Sequence, residues 1–123
     1  MLNLLVIGLG GFLGAIFRAL LSSFATKIAP QSPTLGTLLV NVLGSFLIGA
    51  LFGYAQNKGI SPLFKSFAST GFLGALTTFS TFSYENFLLL QSGAFWQLGL
   101  NIFLNVALCL GGVICAFYLV KIL

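Results

Sequence analysis

Apolar residues run through this chain in long blocks. They do not alternate as in strands, nor form the one-sided stripes of soluble helices. A membrane-crossing helix needs about 20 predominantly apolar residues. Four such spans fit, at about residues 2–24, 35–56, 63–90 and 95–123. Polar and turn-forming residues punctuate the joints: Lys27 with Pro30-Gln-Ser-Pro33, then Gln56-Asn-Lys-Gly59 with Ser61-Pro62, then Gln91-Ser-Gly93. Pro62 suits the first turn of the third helix, and Trp96 falls near a span end, where an indole sits at headgroup level. The pattern predicts an all-α integral membrane protein of one domain, residues 1–123, with four spans and no separate soluble domain.

The third span breaks the pattern. From Gly71 to Glu85 it reads Gly-Phe-Leu-Gly-Ala-Leu-Thr-Thr-Phe-Ser-Thr-Phe-Ser-Tyr-Glu. Hydroxyls crowd it at Thr77, Thr78, Ser80, Thr81 and Ser83, and Phe79 and Phe82 share one helical face at i, i+3. A span that only sits in lipid does not need them. Gly71 and Gly74 followed by Thr77-Thr78 favour a helix break at membrane depth, which is tolerated only inside protein or beside a cavity. The alternative is a continuous helix whose hydroxyls bond back to the preceding turn. A dehydrated small anion needs donors, which hydroxyls and amides supply. It also tolerates the positive edge of an aromatic ring. Carbonyls freed at a break bind a hard cation, as broken helices do for Na⁺. The competing reading of Phe79 and Phe82 is ordinary core packing, and with 14 Phe in the chain it carries weight.

Composition sharpens the class. Charged residues make up 5% of the chain and the mean hydropathy is +1.13. Soluble domains carry roughly a quarter charged residues, so this surface is built for lipid. There is no histidine, and Glu85 is the sole carboxylate. Acid–base catalysis, a catalytic triad and a His/carboxylate metal site are thereby nearly excluded, and no enzyme activity is expected. Cys109 and Cys115 lie six apart on different faces of one helix, so they read as small buried apolar residues, unpaired.

Orientation is ambiguous from charge. Lys58, Lys65 and Lys121 favour one side; Lys27, and Arg18 if it reaches outward, favour the other. A bias of about one charge is a weak topological signal. Insertion both ways permits an antiparallel dimer; insertion one way is the plainer reading. Four short helices enclose little interior, so a pore calls for a second subunit, and a two-fold dimer is the commonest closed assembly.

Three polar positions stand out in the other spans. Arg18 follows the Gly10/Gly14 GxxxG pair, a close-packing signal. It either faces protein or a wet cavity, where it gathers anions, or it snorkels to the interface. Asn41 sits mid-span in Leu39-Val-Asn-Val-Leu-Gly44, as interhelical glue or as an anion donor. Gly49 and Gly53 form a second small-residue pair. Asn101, Asn105 and Cys109 form an i, i+4, i+8 polar stripe on the fourth span, suited to lining a path or to helix–helix hydrogen bonds.

Taken together, Gly10-Gly-Phe-Leu-Gly-Ala-Ile-Phe-Arg18, Asn41-Val-Leu-Gly44 and the Gly71–Glu85 motif resemble the Fluc (CrcB) fluoride channels of bacteria. The likeness covers the first three spans in order, with the length and span count. It implies a dual-topology antiparallel homodimer in the bacterial cytoplasmic (inner) membrane, passively exporting F⁻ through two pores. It further implies a structural Na⁺ held by main-chain carbonyls of Gly74 and Thr77 at the third-helix break. By motif position, Phe79 and Phe82 match the family's phenylalanine boxes and Ser80 and Thr81 its hydroxyl track. Asn41 matches its pore asparagine and Arg18 its vestibule arginine, and Asn105 is placed on the anion pathway. Two features depart from the family pattern. Ala75 replaces a common second glycine, and Asn101, Asn105 and Cys109 stand where Tyr or Ser/Thr is usual.

Two other readings compete with this one. A small multidrug exporter shares the four spans but needs a membrane carboxylate to exchange protons for a cation. Glu85 lies in the third span, and the first carries an arginine instead. A purely structural assembly subunit leaves the hydroxyl–phenylalanine cluster without a purpose. The expected partners are fluoride, lipid and a second copy, with no nucleic acid.

Overall fold

A computed structural model describes residues 1–123, and every regular element in it is helical. Helix α1 spans Leu2–Ile28, α2 spans Leu35–Lys58 and α6 spans Phe95–Ile122. Each is long and apolar enough to cross a bilayer. The expected end of the first span at about residue 24 is four residues short. Ala25-Thr26-Lys27-Ile28 continues the helix, with Thr26 Oγ1 donating to Ser22 O at 3.0 Å.

The third region is a bent composite. It comprises α3 (Pro62–Lys65), a π-helical stretch Ser66–Leu73, the single turn α4 (Gly74–Leu76), and α5 (Phe79–Gln91). Pro62 opens α3 at the position where its missing N–H costs nothing, and Ser61 Oγ caps the turn by accepting from the Phe64 amide at 3.2 Å. Thr77 and Thr78 then turn extended, with ψ of 158° and 120°, so the helix breaks where the hydroxyl cluster predicts.

Glycines set the packing. A Cβ on Gly10 would come 2.9 Å from the Phe72 amide, one on Gly14 2.9 Å from the Phe72 carbonyl carbon, and one on Gly71 2.6 Å from the Ile7 carbonyl oxygen. Thus α1 lies backbone to backbone on the π-helical stretch, which only small residues allow. Gly49 and Gly53 do the same for α2 on α6, against Val113 and Phe117. Both small-residue pairs are used within one chain.

Only 17 of 123 residues are buried, and the large apolar side chains of α1 and α6 mostly face outward. That is the profile of a chain whose solvent is lipid. Asn57 Nδ2 donates to Lys121 O at 3.4 Å, and Lys65 Nζ lies 5.1 Å from the Phe52 ring centroid, so Lys58, Lys65 and Lys121 gather at one end. Gly36 packs on Ser22 near the opposite end, beside Lys27. Trp96 is exposed at the start of α6, as an interfacial indole should be. Both cysteines are free.

Candidate functional site

The break is held open by side chains of other helices. In a continuous helix the Thr78 amide would donate to Gly74 O and the Thr81 amide to Thr77 O. Here Thr78 N donates to Asn41 Oδ1 at 2.8 Å, and Thr81 N to Thr78 Oγ1 at 3.3 Å. The carbonyls of Gly74 and Thr77 therefore lose their helical donors. Thr78 also serves as N-cap of α5, and its hydroxyl donates to Thr81 Oγ1 at 3.1 Å, with Ser80 Oγ 3.4 Å away.

Two further residues brace the break. Arg18 reaches inward and places Nη1 3.4 Å from Thr77 O, which resolves its position in favour of the protein interior. Gly44 passes under Thr77, and a Cβ there would collide with the Thr77 methyl group. This explains a glycine three residues after Asn41: α2 must approach the break closely for the amide to reach Thr78.

Asn41 spends both amide hydrogens inside the chain, one on Thr78 O and one on Asn105 Oδ1, each at 3.1 Å. It clamps the unwound Thr78 from both sides of its peptide and joins it to α6. From Asn105 the bonding continues. Asn105 Nδ2 donates to Asn101 O (3.0 Å) and Asn101 Oδ1 (3.2 Å). Asn101 Nδ2 donates to Asn86 Oδ1 (3.0 Å), and Asn86 Nδ2 to Phe82 O (2.8 Å). Four amides thus run head to tail from the break to the backbone of the second ring residue. Asn86, Asn101 and Asn105 are all buried, where leaving such groups unpaired would be costly.

A cavity of about 400 Å³ opens on this face. Asn41, Ser45, Thr77, Thr78, Asn105 and Cys109 contribute polar atoms to its wall, Phe79 and Phe82 contribute rings, and no carboxylate lines it. The two ring centroids lie 5.6 Å apart with planes tilted by 47°. Phe79 is 77% exposed in the single chain, which rules out ordinary core packing within it. Gly74, Ser80 and Thr81 are exposed as well. Every site residue expected from the sequence lies at or beside the break; Asn41, Phe79, Phe82 and Asn105 share the cavity wall.

Thr37, Asn86 and Asn101 were not singled out as site residues by sequence reasoning. Thr37 Oγ1 donates to Glu85 Oε1, while Glu85 Oε2 is buried without a partner. Asn86 follows Glu85 directly and is i+4 from Phe82, a spacing that could have flagged it.

The similarity to known proteins extends along nearly the whole chain. Residues 5–117 match the family model described as CrcB-like protein, Camphor Resistance (CrcB). A fluoride-specific ion channel FluC of Campylobacter jejuni is 68% identical over 111 residues, covering 89% of this chain and 91% of that protein. The protein of the same name from Campylobacter lari is 58% identical over 119 residues, covering 97% and 98%. That from Shewanella oneidensis is 53% identical over 108 residues, covering 88% and 87%. A multi-pass membrane chain whose third region breaks at Thr77–Thr78, with these matches from end to end, belongs to the CrcB family.

Proposed function

We propose that this protein is a fluoride channel that lets F⁻ leave the cytoplasm passively, and that it works as an antiparallel, dual-topology homodimer. The observation that carries the reading is the interrupted helix opening onto a cavity lined by hydroxyls, amides and two phenylalanine rings, with no carboxylate. Such a wall supplies the donors and ring surfaces a dehydrated anion needs, and it lacks the carboxylate that a proton-coupled exporter of cations requires. The relatives are fluoride-specific ion channels by name, which agrees with this reading.

The exposed break face supports a second copy. Phe79, Gly74, Ser80 and Thr81 are polar or functional positions left bare in one chain, and lipid cannot solvate freed backbone groups there. A mate would cover them and complete each pore.

The donor set fits Na⁺. A hard cation takes oxygen ligands, and the carbonyls of Gly74 and Thr77 have been released by the diversion of Thr78 N and Thr81 N. The two carbonyls of one chain would be joined by two from its mate. Thr77 O has a second lone pair beyond the one facing Arg18. The ion would supply fixed positive charge beside the path; Asn41 and Arg18 hold the Thr77–Thr78 peptide in place.

The test is efflux from vesicles loaded with fluoride or chloride, with wild-type protein reconstituted alone. Fast F⁻ loss that needs no proton gradient, with Cl⁻ retained, is expected. Equal leakage of both ions, or of neither, refutes the reading; proton-coupled export of organic cations would establish the exporter instead.

A further inference from the structure

Three of the chain's four lysines meet at one end of the molecule. Lys58 closes α2, Lys121 lies in the last turn of α6, and Lys65 stands where the third region begins. All three are exposed. Lys65 Nζ lies 5.1 Å from the ring centroid of Phe52, and Lys121 Nζ lies 5.2 Å from that of Phe117. Phe52 and Phe117 stand at one level of the α2–α6 seam, since a Cβ on Gly53 would come 2.6 Å from Phe117 O. Asn57 Nδ2 ties the two helix ends together by donating to Lys121 O at 3.4 Å.

No acidic side chain lies among these charges. Glu85 is the only one in the chain, and it is bonded to Thr37, about 30 Å from Lys58 along α2 at the helical rise. The helix dipole accounts for Lys58 and Lys121, which sit in last turns beside unpaired carbonyls. It does not account for Lys65. The winding that starts at Pro62 runs on through Leu76, so Lys65 lies near the positive end of the third region, where an acidic residue is favoured. Gathering like charges in this way costs free energy unless a counter-charge lies among them.

The surroundings suit a lipid and not a dissolved ion. Tyr54, Phe64, Tyr118, Leu119 and Ile122 are all exposed, each within four residues of one of these lysines on the same element. Aromatic rings at the end of a span mark the headgroup level. A lysine stem there lies along apolar surface while its ammonium stays at the interface. The ring contacts hold two of the ammoniums against neighbouring helices instead of leaving them free in water. The opposite end carries Lys27 as its only lysine.

We propose that the Lys58–Lys65–Lys121 end is a binding site for the phosphodiester headgroup of an anionic phospholipid, whose acyl chains lie along the exposed apolar surface of α6. The site shares no residue with the cavity at the break and does not depend on the channel reading. A lysine near an anionic lipid surface contributes about fivefold, so three together favour an anionic over a zwitterionic headgroup by up to roughly 100-fold. In an antiparallel dimer the site occurs once in each leaflet, and the two orientations of the chain are anchored alike.

Native mass spectrometry of the detergent-solubilised protein tests this, with titration of phosphatidylglycerol or of phosphatidylcholine bearing the same acyl chains. Wild type should bind phosphatidylglycerol at least tenfold more tightly. The triple variant Lys58→Gln, Lys65→Gln, Lys121→Gln should bring the two lipids within about threefold of each other. Lys65→Gln alone should weaken phosphatidylglycerol binding roughly fivefold. Arginine at all three positions keeps the charge and should keep the preference, which separates headgroup binding from damage to the fold. Lys27→Gln, at the far end, should stay within about twofold of wild type. Inorganic phosphate at the same concentration should not displace the lipid. The proposal is overturned if wild type binds both lipids alike, if the triple glutamine variant keeps the preference or the arginine variant loses it, or if Lys65→Gln matches wild type. It is equally overturned if Lys27→Gln acts like the triple variant, or if inorganic phosphate competes as an equal. Loss of the lipid preference leaves the channel reading intact, and a wild-type protein that passes no fluoride leaves this site intact.

Discussion

Replacing Asn41 by aspartate puts the most strain on the reasoning above, because it changes one atom of the side chain. Asn41 accepts from Thr78 N at 2.8 Å and donates to Thr78 O and Asn105 Oδ1 at 3.1 Å each. Asp keeps the first bond and loses the other two, and it aims an oxygen at two acceptors. Losing a bond to a buried partner costs about 1–3 kcal/mol, so the clamp weakens by about 2–6 kcal/mol. An ionised carboxylate adds a second effect. For an anion passing at about 6 Å in a medium of effective dielectric 20, repulsion is about 2.8 kcal/mol, a factor of roughly 100. Asn41→Asp should therefore lose at least 100-fold in F⁻ efflux. Asn41→Leu, which loses the bonds without gaining charge, separates the two contributions. The assay is fluoride-electrode recording of efflux from proteoliposomes, with gel filtration to confirm that the protein assembles. Unchanged efflux in Asn41→Asp would place Asn41 outside both the clamp and the path. Equal losses in Asp and Leu would remove the electrostatic part.

Other expectations concern the rings, the cation and the helix contacts. Phe79→Ile and Phe82→Ile should each abolish F⁻ efflux while gel filtration stays normal, since aliphatic groups offer no positive edge; near-normal efflux in both would remove the ring-edge argument. Replacing Na⁺ by N-methylglucamine should lower the melting temperature of the purified protein, because only the folded assembly presents the Gly74 and Thr77 carbonyls together. Identical melting in the two buffers would argue against a cation there. Gly14→Ala pushes a Cβ to 2.9 Å from the Phe72 carbonyl carbon and should cost on the order of 1–3 kcal/mol or more, since backbone must shift. A melting curve like that of wild type would mean that α1 does not press backbone to backbone on the π-helical stretch.

The three long apolar helices, the joints between them and the bend in the third region were legible from residue order. Each depends on a local property: run length against bilayer thickness, proline and glycine at turns, and hydroxyls beside glycines. Even the position of the break, at Thr77–Thr78, followed from the motif. The π-helical winding of Ser66–Leu73 was not visible in the same way; it is the stretch against which Gly10 and Gly14 press α1, and that contact is made across more than fifty residues.

Choices between two chemically sound alternatives were settled only by packing. Arg18 had equal reason to reach for the interface or the interior, and the nearness of Thr77 O, 59 residues away, turned it inward. Asn41 read as glue or as anion donor; its contacts at |i−j| of 37 and 64 make it the clamp of the break. Asn101 and Asn105 formed a stripe whose purpose depended on what α6 faced. It faces Asn86, whose i+4 spacing from Phe82 names no partner on another helix, and Asn41. A primary amide carries no record in sequence of which acceptor it will meet. That is decided by how closely two helices approach, and here glycines at 10, 14, 44, 49 and 53 set those distances.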